Sequence, residues 1–246
     1  MRVGDFVITK REVIASISII AILLMIGVWI SGGITEAKLD ADERYNKAVK
    51  IESADLFEYG MRTNVGDAFV YGDLKAVDTV TFPEIDGEYM YVRKITERYT
   101  RHTRTVTKTR TVNGKTQTYT ETEVYWTWDE IDRESDKCKE ITFLGVTFDS
   151  NKIDIPGADY LETIKESSKI RYKYYGTGTE HIGTIFTELR DGTIKDDSNF
   201  YKNRTITETV EHLEAIDWTV AFWIIWIFVI GGCVYGFYYI DNRWLE

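Results

Sequence analysis

The sequence predicts an α+β fold: an antiparallel, β-rich extracytoplasmic domain with a long projecting β-hairpin, placed between two transmembrane helices. Three observations predict this fold. Two apolar runs, 13–34 and 218–240, contain no charged residue. The chain between them has many short segments in which apolar and polar residues alternate, as in half-buried strands. An Asn-Gly pair at 113–114 lies at the centre of the longest such segment.

Both apolar runs are long enough to cross a membrane, because an α-helix needs about 20 residues to span the hydrocarbon core. Arg2, Lys10 and Arg11 precede the first run, whereas the residues after it are acidic on balance. Positive flanks stay on the cytoplasmic side. The sequence therefore predicts a two-pass protein of the cell membrane, with both termini cytoplasmic and the main domain outside. Its predicted parts are a cytoplasmic head (1–12), a transmembrane helix (13–34), an extracytoplasmic α+β domain (35–217), a second transmembrane helix (218–240) and a cytoplasmic tail (241–246).

The second apolar run carries a Gly-x-x-x-Gly pair, Gly232 and Gly236. Small residues at this spacing let two helix backbones approach closely. We therefore expect helix packing at these two glycines. The partner helix could be the first span, another copy of the chain or a different membrane protein.

After the first span, residues 36–59 have apolar positions at helical spacing and predict an amphipathic helix that continues the span as a stalk. Asn64-Val65-Gly66 predicts its end. Residues 68–74 predict a strand, with a bulge at Gly72.

The predicted hairpin follows from its turn. Asn-Gly is the preferred pair for a type I′ turn, which needs positive φ at both central residues. With Asn113 and Gly114 in the loop, threonines face each other in four successive pairs on one face. These pairs are Thr111 with Thr116, Thr109 with Thr118, Thr107 with Thr120, and Thr105 with Thr122. The other face is mostly charged, so we expect the outer half of the hairpin to project away from the core.

The base of the same hairpin has a different composition. The register predicts that Tyr99 faces Trp128, and that Arg98 faces Asp129. It also predicts that Arg93 faces Glu134. Aromatic and paired charged residues here indicate a base that packs on the domain and a polar tip that leaves it.

The rest of the outer segment predicts further strands and two helices. We expect a strand over 141–148, a short helix over 160–166, strands over 169–175 and 181–189 with a turn at 191–192, and a helix over 205–216.

No motif for catalysis or for binding a cofactor or a metal is found. His102, His181 and His212 lack neighbours at zinc-site spacing. An acidic run over 129–136 lacks the glycine that a calcium loop needs for its turn. The sequence therefore predicts no catalytic residue, no cofactor and no metal, and a protein that is not an enzyme.

One local charge asymmetry stands out in a chain of net charge −10. Eight Lys or Arg and a single Glu occupy residues 93–115. We predict that the tip contacts a partner through Lys108, Arg110, Lys115 and Tyr119. The three basic residues among them lack acidic residues opposite them. An anionic lipid or a wall polymer would suit this charge, whereas the acidic chain as a whole argues against nucleic acid. The alternative is that the acidic return strand neutralises the run.

The two cysteines cannot pair with each other, because Cys138 lies outside the membrane and Cys233 lies inside the second span. Cys138 either pairs across a symmetric dimer or is a free, small apolar residue.

Four segments resemble those of uncharacterised two-pass membrane proteins of Firmicutes and their phages. They are Tyr125–Asp129 (YWTWD), Phe143–Phe148 (FLGVTF), Ser168–Gly176 (SKIRYKYYG) and Gly183–Thr187 (GTIFT). This resemblance implies no activity. Residues 68–72 and 91–93 also resemble the opening strands of the beside-a-membrane domain of membrane-anchored ubiquitin ligases. Only a short tail follows the second span, so this second resemblance carries no RING domain and no ligase activity.

Together these features predict a non-enzymatic, membrane-anchored binding or assembly module that uses the hairpin as a contact arm. Its predicted partners are the lipid bilayer and either further copies of the chain or another membrane protein. One alternative is an accessory or pore-forming subunit of a channel or transporter. A second alternative is an extracytoplasmic enzyme without a recognisable motif.

Overall fold

The computed structural model describes residues 2–3, 6–7, 9–112 and 115–244. These residues form two compact units: Met1–Ala48 with Thr207–Glu246, and Val49–Ile206. In chain order the elements are β1 (Arg2–Val3), β2 (Phe6–Val7), α1 (Lys10–Lys47), β3 (Val49–Ile51), α2 (Ala54–Thr63), β4 (Gly66–Ala76), β5 (Tyr91–Val112), β6 (Lys115–Lys137), β7 (Glu140–Phe143), β8 (Val146–Asp149), β9 (Asp159–Lys165), β10 (Ile170–Thr177), β11 (Glu180–Arg190), β12 (Thr193–Ile194), β13 (Asn199–Lys202), α3 (Ile206–Glu214) and α4 (Trp218–Trp244).

The first unit contains the short antiparallel pair of β1 and β2 and two helices that are long and apolar enough to cross a membrane. Helix α1 begins with a capping box, in which the Thr9 hydroxyl accepts from the Glu12 amide and the Glu12 carboxylate accepts from the Thr9 amide. Such caps satisfy amide groups that a helix start leaves free. The helix continues without a break from the first apolar run to Lys47, as the stalk prediction required.

Helices α1 and α4 pack against each other through side chains of the second apolar run. The Trp226 indole donates to the Leu23 carbonyl at 3.0 Å, and the Trp223 indole donates to the Ser31 hydroxyl at 3.1 Å. The Trp226 ring also occupies the space directly beside Gly27, and Gly27 is buried. A glycine at this point of α1 lets the large indole approach the helix backbone.

The second unit is built on two antiparallel sheets. The larger has the strand order β12-β11-β4-β7-β8, with β13 beside β11 and β3 parallel to β4. Helix α2 contributes Phe57 and Met61 to the apolar core on this sheet, where Phe57 meets Phe143 edge to face at 5.8 Å. Fifteen buried side chains form this core, so the larger sheet supplies most of the apolar stabilisation of the unit.

The smaller sheet has the strand order β6-β5-β10-β9. A separate small core of Ile85, Val92 and Tyr174 lies on one of its faces. Strand β10 pairs with β5 only along Tyr91–Arg98. Beyond that point β5 has no sheet neighbour except β6 among the described strands. The pair of β5 and β6, here called the β5–β6 ribbon, therefore extends beyond the four-stranded part of the sheet.

The fold is α+β with antiparallel sheets, as the sequence predicted, and β10 and β11 cover two predicted strands. The helix predicted over 160–166 is wrong. That segment is strand β9, because its backbone pairs along β10.

Three other expectations are corrected. The predicted helix over 36–59 is interrupted by strand β3, which pairs with β4. The predicted strand over 141–148 is two strands, because Leu144 and Gly145 adopt positive φ and turn the chain. Gly72 is not in a bulge: β4 pairs with β11 in continuous register, and the Leu144 side chain fills the space beside Gly72.

Candidate functional site

The β5–β6 ribbon contains most of the residues that the sequence marked for partner contact. Its strands pair in one register from Val112 opposite Lys115 inward to Glu97 opposite Glu130. This is the register predicted from the Asn113-Gly114 turn. The turn itself lies outside the described residues.

A register shift between Thr96 and Glu97 interrupts the ribbon near its base. Thr96 faces Asp132, so Ile131 is an extra residue on β6. Arg93 therefore faces Ser135, and the predicted pairing of Arg93 with Glu134 is wrong. Lys94 faces Glu134 instead, and its ammonium group binds the Glu84 carboxylate at 2.8 Å. The outer pairs keep the predicted register because the bulge lies on the domain side of them.

One face of the ribbon consists of threonines followed by aromatic residues. The four predicted threonine pairs are all present. Closer to the domain, Tyr99 stacks on Trp126 with ring centroids 5.3 Å apart, and the tilted ring of Trp128 also lies 5.3 Å from that of Tyr99. Trp126 is 44% exposed. This face therefore changes from hydroxyl groups at the outer end to a column of stacked rings at the base.

Arg171 of β10 extends this column. Its guanidinium lies 4.2 Å from the ring centroid of Trp128 and donates to the Glu97 carboxylate at 2.5 Å. Lys173 donates to the same carboxylate at 3.0 Å. Burial by itself would raise the pKa of Glu97, but these two hydrogen bonds outweigh it and the pKa is lowered. Sequence reasoning missed Arg171 and Lys173, although the alternation over 169–175 placed both on one face of a strand.

The other face of the ribbon is charged, and its charges are paired. Lys108 binds Glu121 at 2.9 Å and Glu123 at 3.0 Å, while Arg104 binds Glu123 at 3.0 Å. The hydrogen bond from Lys108 is the largest cause of a lowered pKa at Glu123. The expectation that Lys108 lacks an acidic partner is therefore wrong. Glu121 lies diagonally opposite Lys108, and Glu123 lies one same-face position further along β6, so the lysine side chain extends along this strand to reach both.

The remaining predicted contact residues lie on the same face. The Arg110 guanidinium lies 5.6 Å from the ring centroid of Tyr119, which is 41% exposed. Lys115 makes no ion pair or hydrogen bond with another side chain that the structure describes. Of the three predicted basic contact residues, Lys115 is thus the one whose charge is not neutralised or stacked within the described chain.

The two glycines predicted for helix packing do not contact α1. A Cβ atom built on Gly232 or Gly236 would meet no described atom within 4 Å, and the same holds for Gly231. The first span is therefore not the partner of this pair. Gly27, one of the small residues of the first span that permit close helix packing, makes the close approach between α1 and α4.

Titratable side chains also lie away from the ribbon. Among the described residues, no group of three or more His, Cys, Asp or Glu side chains is placed to hold a metal. A cleft of about 590 Å³ is lined by His181 together with Asp73, Lys75, Glu180, Ile182, Lys202 and Asn203. Burial lowers the pKa of His181. No hydroxyl or thiol nucleophile is among these lining residues, so the histidine has no group beside it to activate.

Cys138 is buried in the core of the larger sheet, where it is 1% exposed. Burial raises the pKa of its thiol to about 11. A disulfide across a dimer would need this sulfur at the surface. The first of the two expectations for Cys138 is therefore wrong, and the residue is a free, apolar core side chain.

Comparison with known proteins finds no matching family model, no similar curated protein and no similar solved structure.

Proposed function

We propose that the protein is a non-enzymatic binding or assembly module, anchored in the membrane by both apolar helices, with the outer part of the β5–β6 ribbon as its contact arm. In this arrangement both termini are cytoplasmic and Val49–Ile206 lies outside the cytoplasm. The positive residues before the first apolar run support this orientation.

The observation that carries the proposal is the exposure of both edges of the ribbon. Beyond Tyr99, β5 and β6 pair only with each other among the described strands. In the outer part of the ribbon, Thr103–Val112 and Lys115–Glu123, both faces are mostly polar, so this part buries no apolar core. Ordering the backbone of such a segment costs conformational entropy, and no apolar burial offsets that cost. Open strand edges are surfaces on which another chain can add a strand.

The helices support assembly by a second route. The α4 face that carries Gly232 and Gly236 is not covered by α1. Small residues at this spacing admit a second helix backbone in lipid. A second copy or another membrane protein would then contact the chain both in the bilayer and at the ribbon.

Deletion of the ribbon tip tests the proposal. In the full chain, Arg104–Glu123 is removed and Thr103 is joined to Val124, the residue opposite it, by a two-residue Asn-Gly turn. The variant and the parent are extracted from their membranes together with the surrounding lipid, in the same disc-forming copolymer, and their masses and co-purifying proteins are compared. We expect the variant to lose the partner or the higher mass. The same mass and the same co-purifying proteins in both would refute the contact role of the tip.

The deletion needs a control for folding. Cys138 lies in the core and far along the chain from the deletion, so its protection from a polar maleimide reports on the larger sheet. Protection equal to that of the parent shows that the remaining domain is folded. Loss of the partner then reflects the missing tip.

A further inference from the structure

We propose that the segment Lys115–Glu123 of β6 pairs with the same segment of a second copy of this chain. The two segments run antiparallel about a two-fold axis at Tyr119, and they join the two ribbons into a four-stranded sheet. The inference rests on the proposed contact role of the tip, and it names the partner and the register.

The outer edge of β6 is available for such pairing. β6 is the terminal strand of its sheet, and its only described sheet neighbour is β5. In an antiparallel pair, alternate residues point their N–H and C=O groups away from the partner strand. The register shift at Ile131 lies outside Lys115–Glu123, and this segment contains no proline. Its free edge is therefore regular over nine residues.

The side chains of this segment complement themselves in the proposed register. On the charged face, Lys115 faces Glu123 of the second copy, and Gln117 faces Glu121 of the second copy. Tyr119 faces its own equivalent. Two-fold symmetry makes each unlike pair twice. Lys115, whose charge has no partner within the described chain, thereby gains an acidic one.

The threonine face of the segment is also compatible with this register. The same register places Thr116 opposite Thr122 and Thr118 opposite Thr120 of the second copy, each pair occurring twice. These four residues already form cross-strand threonine pairs with β5. A two-fold axis perpendicular to the sheet keeps each residue on its own face. The threonine face would therefore continue across all four strands, and threonine pairs are favourable in sheets.

Other registers of the same edge fit less well. An axis at Trp126 gives a longer overlap but sets Glu123 against Asp129, a like-charge pair. An axis at Thr118 retains a lysine–glutamate pair but shortens the overlap to 115–121. Among these three axes, the one at Tyr119 gives the longest overlap in which Lys115 faces an acidic residue and the other face contains only threonine pairs.

The edge of β5 is a poorer candidate. Between Thr100 and Val112 it carries four Lys or Arg and no acidic residue. Two such edges would repel each other. The β5 edge could also pair with β6 of a second copy at the same height. This pairing is blocked at the base of the ribbon, because β10 already occupies the edge of β5 there. The β6 edge has neither obstacle.

A nine-residue strand pair is smaller than the interface of a typical stable dimer. Anchoring of both copies in one bilayer raises their effective concentration and compensates for this. The pairing is therefore expected in membranes and not between dilute solubilised chains.

Disulfide trapping in vesicles tests the register. The full chain with Tyr119→Cys is reconstituted into phosphatidylcholine vesicles and oxidised with copper phenanthroline. Directly opposed cysteines in adjacent strands lie within disulfide range. We expect a dimer on a non-reducing gel that reductant reverses and that the parent, which retains Cys138 and Cys233, does not form. Val106→Cys is the matched control, because Val106 lies on the same ribbon face but on β5. We expect at least fivefold less dimer from it.

A charge variant adds an independent measurement. Lys115→Glu in the Tyr119→Cys chain sets two glutamates against Glu123 residues and should lower the dimer yield at least fivefold. Lys115→Arg should leave it unchanged. No Tyr119→Cys dimer, equal trapping by Val106→Cys, or no effect of Lys115→Glu would each overturn the proposed pairing. Where trapping fails but the tip deletion still removes a co-purifying protein, the contact role of the tip stands and its partner is a different chain.

Discussion

Arg171 and Trp128 stack on each other although they belong to strands that are not adjacent. Arg171 is on β10 and Trp128 on β6, and β5 lies between them. The guanidinium reaches across β5 and binds Glu97 on the way. This contact ties the base of the ribbon to the four-stranded sheet, so the ribbon is fixed at the point where β10 ends its pairing.

Replacing Arg171 by lysine should loosen this tie. A lysine keeps the charge but loses the planar group that stacks on the indole and binds the carboxylate. We expect a loss of about 1–2 kcal/mol in the free energy of unfolding. Urea unfolding of the full chain in detergent, followed by tryptophan fluorescence, measures it. Arg190→Lys is the matched control, because Arg190 is 68% exposed and its ion pairs are long. An equal loss in both variants would contradict the stacking role.

Glu97 should make the stability depend on pH. Its carboxylate is 12% exposed and has a lowered pKa in the fold, whereas the unfolded chain has the ordinary value of 4.5. The contribution of Glu97 is therefore fully present above pH 4.5 and is lost as the pH falls through the lower, folded pKa.

The Glu97→Gln variant measures this contribution. We expect the variant to lose about 1–3 kcal/mol at pH 7, since two charged donors lose their anionic acceptor. The difference from the parent should shrink as the pH falls below 4.5. Thermal unfolding of both chains between pH 3 and pH 8 is the measurement. A difference that grows on acidification would show that Glu97 is not the ionised acceptor.

Gly183 of β11 is expected to be intolerant of a side chain. An added Cβ atom would contact the Tyr201 carbonyl oxygen of β13 and would lie 2.9 Å from the Phe200 ring. Because the nearest atoms belong to the backbone of a paired strand, they cannot move independently. We expect Gly183→Ala to cost about 1–3 kcal/mol. Gly178→Ala is the control, since its Cβ atom would meet only the His181 ring at 3.9 Å. Similar unfolding curves for the two variants would refute the close approach.

Gly27 should decide the packing of α1 against α4. A larger residue would displace Trp226, whose Cδ1 atom lies 2.7 Å from the position of an added Cβ. Gly27→Leu is expected to shift the tryptophan emission in detergent and to lower the unfolding temperature. At Gly33 on the same helix, an added Cβ atom would meet no described atom within 4 Å, so Gly33→Leu should change neither property. Equal effects of the two variants would contradict the assignment of Gly27 to the helix interface.

Cys138 should resist alkylation until the domain unfolds. At a pKa of about 11, about one thiol in a thousand is ionised at pH 8. Burial of the sulfur adds steric protection. We expect incorporation of a charged maleimide at Cys138 only in denaturant, as read by mass spectrometry of the peptide that contains it. Rapid labelling of the native chain would show that the larger sheet opens at this point.

The sequence predicted the outer ribbon well because the pattern there is local. A turn pair and strict alternation of threonines fix both the register and the faces over Thr105–Thr122 without any contact to the rest of the chain. The same locality explains the two apolar helices, since their length and lack of charge are sufficient.

Several expectations failed where a contact with a neighbouring strand decided the structure. Segment 160–166 is a strand because β10 pairs with it. The base register shifts at an unpaired Ile131 that no turn signal marks. The Lys108 side chain extends along β6 to Glu121 and Glu123, which the residue directly opposite does not indicate.

The sequence by itself determined the class of the protein: two membrane-length helices that flank a strand-rich segment, which contains a ribbon whose two strands match each other in register. These properties follow from hydrophobic length and from alternation, which are read along the chain. Only the tertiary structure decided that Gly27, and not Gly232 or Gly236, contacts the other span. It also decided that Arg171 anchors the ribbon base and that Lys115 is left without a described partner, because side-chain reach and packing are set by neighbours in space.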